Sequence, residues 1–441
     1  MNILETYGLP AEGCPCGRSH AVAPLLTVLE KGALLRVAEV LCKVGIRRPF
    51  VLSDQNTERA AGARVKELLR AEGIAFSAFV FPEAHPTPDE TSLGKATMAY
   101  APTDADGILA VGSGVLGDVG KLLSRAAGVP MVTVATAPSM DGYASSSSSM
   151  EVAGLKTSVP SRCPDAIVGD LDVLAEAPMP MLEAGLGDML AKYVSLVEWR
   201  IARIAVDEYY CDKVAKVVEV ALARCVENAS GLLLRDRGAV LAVMEGLILS
   251  GLAMTAAGLS RPASGAEHYI SHLWDMRGLS FGTKVELHGL QCAVGTRIVA
   301  GVYEKLRAFA PDREKALRAA AAFDRGAWEQ ELRSFLGHAA EPMIALEAKE
   351  GKYDRENHAR RLPVLLSRWE EIRKEICTLP RQAEIDRILD AIGAPKTAGE
   401  MGIDPETVPV AFRRAGDIRD KYVLPRLLWD LGVAEEFEAK E

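Results

Sequence analysis

Residues 107–127 read GILAVGSGVLGDVGKLLSRAA: an apolar run, a glycine-rich turn, then apolar residues at three- and four-residue spacing. That order predicts a buried β-strand, a tight turn and an amphipathic helix. Gly112, Gly114 and Gly117 fit the G-x-G-x-x-G pattern. Glycines there let backbone N–H groups approach a pyrophosphate, and the helix N-terminus adds partial positive charge. Two features depart from the usual fingerprint. The motif follows the third apparent strand, and about 20 residues further on VTVATA holds no acid for a ribose. A carboxylate ends the first apparent strand instead, at Asp54 in SDQNT. It either accepts ribose hydroxyls, which favours NAD over NADP, or serves as a turn or N-cap residue.

Outward from this motif the same rhythm repeats. PFVLS (49–53) reads as a strand, Thr57 to Glu72 as a helix capped by Asn56 or Thr57, and IAFSAFVF (74–81) as a second strand. A weaker helix falls near 89–100, with further strands at VPMVTVATA (129–137) and AIVGD (166–170). Strands alternating with helices imply a mostly parallel, helix-covered sheet with ligands outside the carboxyl ends of its strands. By composition alone, SSSSS (145–149) is a flexible loop. From about Glu183 strand patterns give way to amphipathic helices such as SLVEWRIARIAVDEYY, DKVAKVVEVALARCVEN and DREKALRAAAAF. The boundary is EAPMPML (176–182), whose two prolines break any helix running through it. The expected organisation is an α/β nucleotide-binding domain, 1–178, followed by an all-helical domain, 179–441.

The chain has 441 residues, 49% hydrophobic and 25% charged, with formal net charge −9. This excludes a largely disordered chain and disfavours nucleic-acid or anionic-membrane binding as the main activity. MNILETYGLP lacks the pattern of a signal peptide, and Ala239–Leu259, interrupted by Glu245, reads as a buried helix rather than a membrane span. Eight scattered cysteines then read as reduced thiols in a cytoplasmic protein.

Three of the seven histidines fall within 21 residues, in SGAEHYISHLWDMRGLSFGTKVELHG. His268 and His272 share one helix face at about 5–6 Å, and His288, followed by Gly289, suits a chain reversal. Neutral imidazoles bind zinc, nickel or iron(II), and a catalytic site takes about three protein ligands. The carboxylate candidate is Asp188, in GLGDMLAKY, while spacing leaves His268 and His272 interchangeable. A second cluster, Cys14-Pro-Cys16-Gly-Arg-Ser-His20, offers two thiolates and a histidine for part of a structural zinc site, but with no nearby fourth ligand it reads rather as a surface hairpin.

Together TAPSMDGYASSSSSM (136–150), SRPASGAEHYISH (260–272) and LHG (287–289) resemble the sn-glycerol-1-phosphate dehydrogenase family. That family belongs to a metal-dependent group with a dehydroquinate synthase-like fold that also includes glycerol dehydrogenase. The resemblance implies that Asp54 binds the adenosine ribose. Gly114, Val115, Leu116, Gly117 and Asp118 would hold the pyrophosphate, and Thr136, Ala137, Pro138, Ser139 and Ser145 would line the rest of the NAD groove. Asp188, His268 and His288 would ligate one divalent ion, zinc or nickel. Asp141 and His272 would face the substrate, with His272 also a possible proton carrier. For the substrate phosphate, Arg261 and Lys192 are the nearby cations. The implied activity is NAD(P)H reduction of dihydroxyacetone phosphate to sn-glycerol 1-phosphate. Separately, the abundance of apolar helices points to a homodimer. Alternatives are a dehydrogenase of unphosphorylated glycerol and a non-catalytic nucleotide-binding module.

Overall fold

The computed structural model describes residues 3–439. Strands β1 (Leu26–Glu30), β2 (Pro49–Asp54), β3 (Ser77–Phe81), β4 (Gly107–Gly112) and β5 (Met131–Ala135) precede a hairpin of β6 (Ser147–Val152) and β7 (Leu155–Pro160), and β8 (Ala166–Asp170) follows it. Outside the hairpin, the strands form one sheet in the order β1-β8-β5-β4-β2-β3, every pair parallel. β2, β4, β5 and β8 are buried at every position, as a sheet covered on both faces requires. Val51, Leu109, Val111, Val132, Val134 and Val168 pack with helices Val37–Lys43 and Ala63–Ala71 on one face. Their strand neighbours Phe50, Leu52, Ile108, Ala110 and Met131 pack with helix Glu90–Tyr100 and α1 (Gly114–Ala127) on the other. The chain runs outward from β2 to β3, then returns past β2 to β4, β5 and β8. Its direction therefore reverses between β2 and β4, a topological switch point.

Local expectations change at three places. The cap of the first helix is Asp54, not Asn56 or Thr57: its Oδ1 accepts from both following amides, of Asn56 and Thr57, each at 2.8 Å. The serine tract is not a loop beyond its first residues. Ser147–Ser149 pair antiparallel with Ser158–Pro160, and Ala153 and Gly154, at φ 52° and 74°, close the hairpin as a primed turn requires. β1, which its composition did not announce, pairs with β8 at the sheet edge.

Among the described residues no strand follows Asp170. The chain divides into two compact units, Met1–Met189 with Lys216–Leu259, and Leu190–Ala215 with Ser260–Glu441. The first unit therefore holds almost all of α2 (Met179–Leu190) and the whole of α3 (Arg237–Ala257) as well as the sheet. α3 is the one described helix long and apolar enough to cross a membrane, but 78% of its most apolar window is buried within the protein. Its Gly251 lies against the Asp141–Ala144 turn, where a Cβ would stand 2.7 Å from the Asp141 carbonyl oxygen. The second unit is helical and carries α4 (Ala266–Phe281) and α5 (His288–Leu306), packed on each other.

Candidate active site

The sheet brings three of the expected nucleotide segments to one edge. Asp54 ends β2, the glycine turn leaves β4, and Thr136–Ser139 leave β5, all at carboxyl ends of adjacent strands. Asp54 is buried, and with Oδ1 holding the helix cap, Oδ2 has no protein partner among the described residues. The cap and ribose readings are thus compatible. Ser113 precedes α1 without a side-chain cap, so the amides of Gly114, Val115 and Leu116 find no protein acceptor among the described residues. Orphan amides at the end of a 14-residue helix suit an anion. Gly117 is buried, yet an added Cβ there would have no heavy atom within 4 Å. This room beside uncapped amides fits a dinucleotide pyrophosphate.

Other members of the expected groove are engaged internally. Asp118 Oδ1 pairs with Lys121 Nζ at 2.9 Å, and its Oδ2 accepts from the Ser149 amide at 3.1 Å. The buried Lys121 ammonium also donates to Gly142 O, Ser145 Oγ and Ser147 O. Ser145 therefore braces the turn that follows Asp141, and its hydroxyl approaches Gly142 O and Ser147 O. Tyr143 donates to Ala137 O at 2.6 Å, tying that turn to the 136–139 loop. The loop packs tightly on α2: a Cβ at Gly185 would lie 1.7 Å from Pro138 O.

On α2, Asp188 is fully buried and its Oδ2 accepts from the Asp141 amide at 2.9 Å. Asp141 in turn accepts from Ser250 Oγ of α3 at 2.8 Å. Two aspartates and a serine distant in sequence thus meet in the first unit.

In the second unit, all three expected histidines converge. His268 and His272 lie on α4, and His288 opens α5 after the chain reverses past Gly282, at φ 66°. Ring centroids are 5.1 Å apart for His268 and His288, 5.6 Å for His272 and His288, and 6.5 Å for His268 and His272. His268 Nδ1 donates to Glu267 Oε1 at 2.8 Å, which fixes the tautomer with Nε2 carrying the lone pair. Ser271 Oγ lies 3.1 Å from His288 Nδ1. A metal-binding imidazole needs this kind of support on its other nitrogen, so the donor set fits a divalent ion. Glu267 also accepts from the Gly265 amide, and Glu198 from the Ala266 amide, so two buried carboxyls hold the start of α4. Burial and then the neighbouring Glu267 carboxylate push Glu198 up to about 8.

The cations expected at the substrate phosphate are also placed. Arg261 is 1% exposed, and its Nε and Nη2 grip both oxygens of Glu208 while Nη1 donates to Tyr422 O at 3.0 Å. That fork is committed to the protein and is no free phosphate donor. Lys192 is fully buried, with Nζ 3.2 Å from Ala263 O.

Sequence reasoning missed Lys121, Glu267 and Cys292. Lys121 follows Asp118 at helical i,i+3 spacing, and Glu267 is simply adjacent to His268. Cys292 follows His288 by four residues, so its Sγ lies 3.5 Å from His288 Nε2. Burial pushes this thiol up, but the imidazoles of His268 and His288 outweigh burial and leave it below its ordinary value.

Residues 28–178 match the model of the iron-containing alcohol dehydrogenase family. A Bacillus subtilis protein named glycerol-1-phosphate dehydrogenase (NAD(P)+) is 33% identical over 89% of this chain and 88% of its own. One of the same name from Halalkalibacterium halodurans is 29% identical over 96% and 97% respectively. Among solved structures, a probable glycerol dehydrogenase from Sinorhizobium meliloti superposes with a TM-score of 0.62 at 16% identity, covering 95% of this chain and 98% of its own. The glycerol dehydrogenase of Schizosaccharomyces pombe does so with 0.60 at 18%, covering 94% and 90%. The fold is therefore shared with these dehydrogenases, and the chain belongs to the family of the glycerol-1-phosphate dehydrogenases.

Proposed function

We propose that the protein is a metal-dependent oxidoreductase that reduces dihydroxyacetone phosphate to sn-glycerol 1-phosphate with NAD(P)H, reversibly. The observation that carries the metal-dependent chemistry is the cluster of three imidazoles, one of them held in its ligating tautomer by Glu267. The choice of substrate rests on the relatives' name and on the motif resemblance.

In this reading Asp188, His268 and His288 hold one divalent ion, zinc or nickel, and Asp54, Gly114–Asp118, Thr136–Ser139 and Ser145 form the dinucleotide groove. When bound, the ion supplies a Lewis acid for the C2 oxygen and the dinucleotide supplies the hydride. The chain's own work is positioning. The α1 amides hold the pyrophosphate, and Asp54 Oδ2 accepts a ribose hydroxyl, so NAD is preferred over NADP. Lys121 and Tyr143 fix the turn that carries Asp141, which orients the glycerol carbons. His272 holds the proton destined for the C2 oxygen. Lys192 is the cation for the phosphate, since Arg261 is bound to Glu208. We infer further a homodimer and a cytoplasmic location.

The test is NADH oxidation by metal-stripped protein reloaded separately with zinc, nickel and iron(II), offered dihydroxyacetone phosphate or dihydroxyacetone. The phosphorylated ketone should be turned over with much higher kcat/KM, giving only the sn-1 product. Equal use of both ketones means a polyol dehydrogenase, and no oxidation with any ion sinks the catalytic reading.

A further inference from the structure

The Cys14–His20 segment turns at the surface, with Pro15, Gly17, Arg18 and Ser19 exposed, yet two of its side chains are buried. Cys14 is 6% exposed and His20 only 1%. Gly13 and Gly17, at φ 71° and 81°, turn the chain sharply, and the Gly17 amide closes on Cys14 O at 2.9 Å. The His20 amide then bonds Ala11 O at 2.7 Å. As a result the sulfurs of Cys14 and Cys16 and a ring nitrogen of His20 lie within 4.8 Å of one another.

The imidazole is oriented by a group that can only accept. His20 Nδ1 lies 2.9 Å from the carbonyl oxygen of Ala256, in the last turn of α3, where helix carbonyls lack an intrahelical partner. Nδ1 must therefore carry the hydrogen, and Nε2 keeps its lone pair. That lone pair faces Cys16 Sγ at 3.2 Å. Sulfur and nitrogen bound to one tetrahedral zinc stand about 3.5 Å apart, given zinc–sulfur and zinc–nitrogen bonds of about 2.3 and 2.0–2.1 Å. The arrangement thus has ligand spacing, ligand softness and a supported histidine at once.

We propose that Cys14, Cys16 and His20 bind a structural zinc ion, distinct from the histidine cluster of α4 and α5. Binding converts two thiols to thiolates with release of two protons, and no electron is transferred. The ion clamps the N-terminal segment, including the buried Leu9, to the end of α3.

The experiment uses the full-length protein loaded with cobalt(II) or zinc. Thiolate ligation gives a near-ultraviolet sulfur-to-cobalt charge-transfer band that the proposed Asp188, His268 and His288 set cannot produce. The band, with one equivalent of zinc per chain, should be lost in C14S/C16S and in H20N but kept in C292S. Band and zinc content both retained in C14S/C16S would overturn the proposal. Should that variant not fold, alkylation of the unmutated protein decides. A chelator should expose Cys14 and Cys16 to iodoacetamide and added zinc should shield them, whereas equal labelling with and without zinc refutes the site.

Discussion

Replacing Gly117 by alanine separates cofactor binding from folding. A Cβ at this buried position meets no heavy atom within 4 Å, so the added methyl group carries no packing penalty. Inside α1 alanine is favoured over glycine by about 0.5–1 kcal/mol. The melting temperature should therefore hold, or rise by about 1–4 °C. Cofactor binding should respond in the opposite sense. If the space beside Gly117 receives the pyrophosphate, the methyl group displaces it from the amides of Gly114, Val115 and Leu116. Losing one hydrogen bond to a charged group costs about 1.5–3 kcal/mol, so NADH should bind about 10- to 100-fold more weakly. NADH fluorescence titration and thermal melting on the same preparation give both readouts. Unchanged NADH affinity at a held or raised melting temperature would refute the pyrophosphate assignment. A lowered melting temperature would refute the premise that the space is open.

Other substitutions test the rest. Gly185→Ala forces a Cβ to 1.7 Å from Pro138 O, a backbone atom that cannot yield. A loss of about 3 kcal/mol or more is expected in chemical denaturation, and a variant of parental stability would contradict the packing. Arg261→Ala strands the partly exposed Glu208 carboxylate and should destabilise by about 2–4 kcal/mol. The ratio of KM values for the phosphorylated and free ketones should stay put, and a selective loss for the phosphorylated one would return Arg261 to the substrate. Glu267→Gln weakens the support of His268 and should lower metal affinity about 10- to 100-fold in a metal titration; unchanged affinity would mean that His268 is no ligand. Glu198, raised from 4.5 to about 8, keeps its proton in the folded state while the unfolded chain releases it. Stability should therefore fall as pH rises through that window, and Glu198→Gln should flatten the slope measured by urea denaturation at its two ends. An identical slope in parent and variant would show that Glu198 does not titrate there.

Much of this molecule is legible along the chain because its signals are local. Apolar runs of strand length ending in turns mark β2, β4, β5 and β8, since a doubly covered parallel sheet leaves no polar alternation to obscure them. The glycine turn and the four-residue step from His268 to His272 are likewise short-range geometry. What tertiary structure alone decided depends on partners far apart in sequence. The polar strand Ser147–Val152 is stabilised by β7 and by Asp118 and Lys121, not by its own composition. Arg261 has the residue type and neighbourhood of a phosphate ligand, and only its meeting with Glu208, 53 residues earlier, shows where its charge is used. Cys14 and His20 look like surface residues until α3, more than 200 positions away, offers the Ala256 carbonyl that buries and orients the ring. Periodicity reports which face of an element is apolar, but a polar side chain's role is set by the group it meets, and that meeting exists only once the chain has folded.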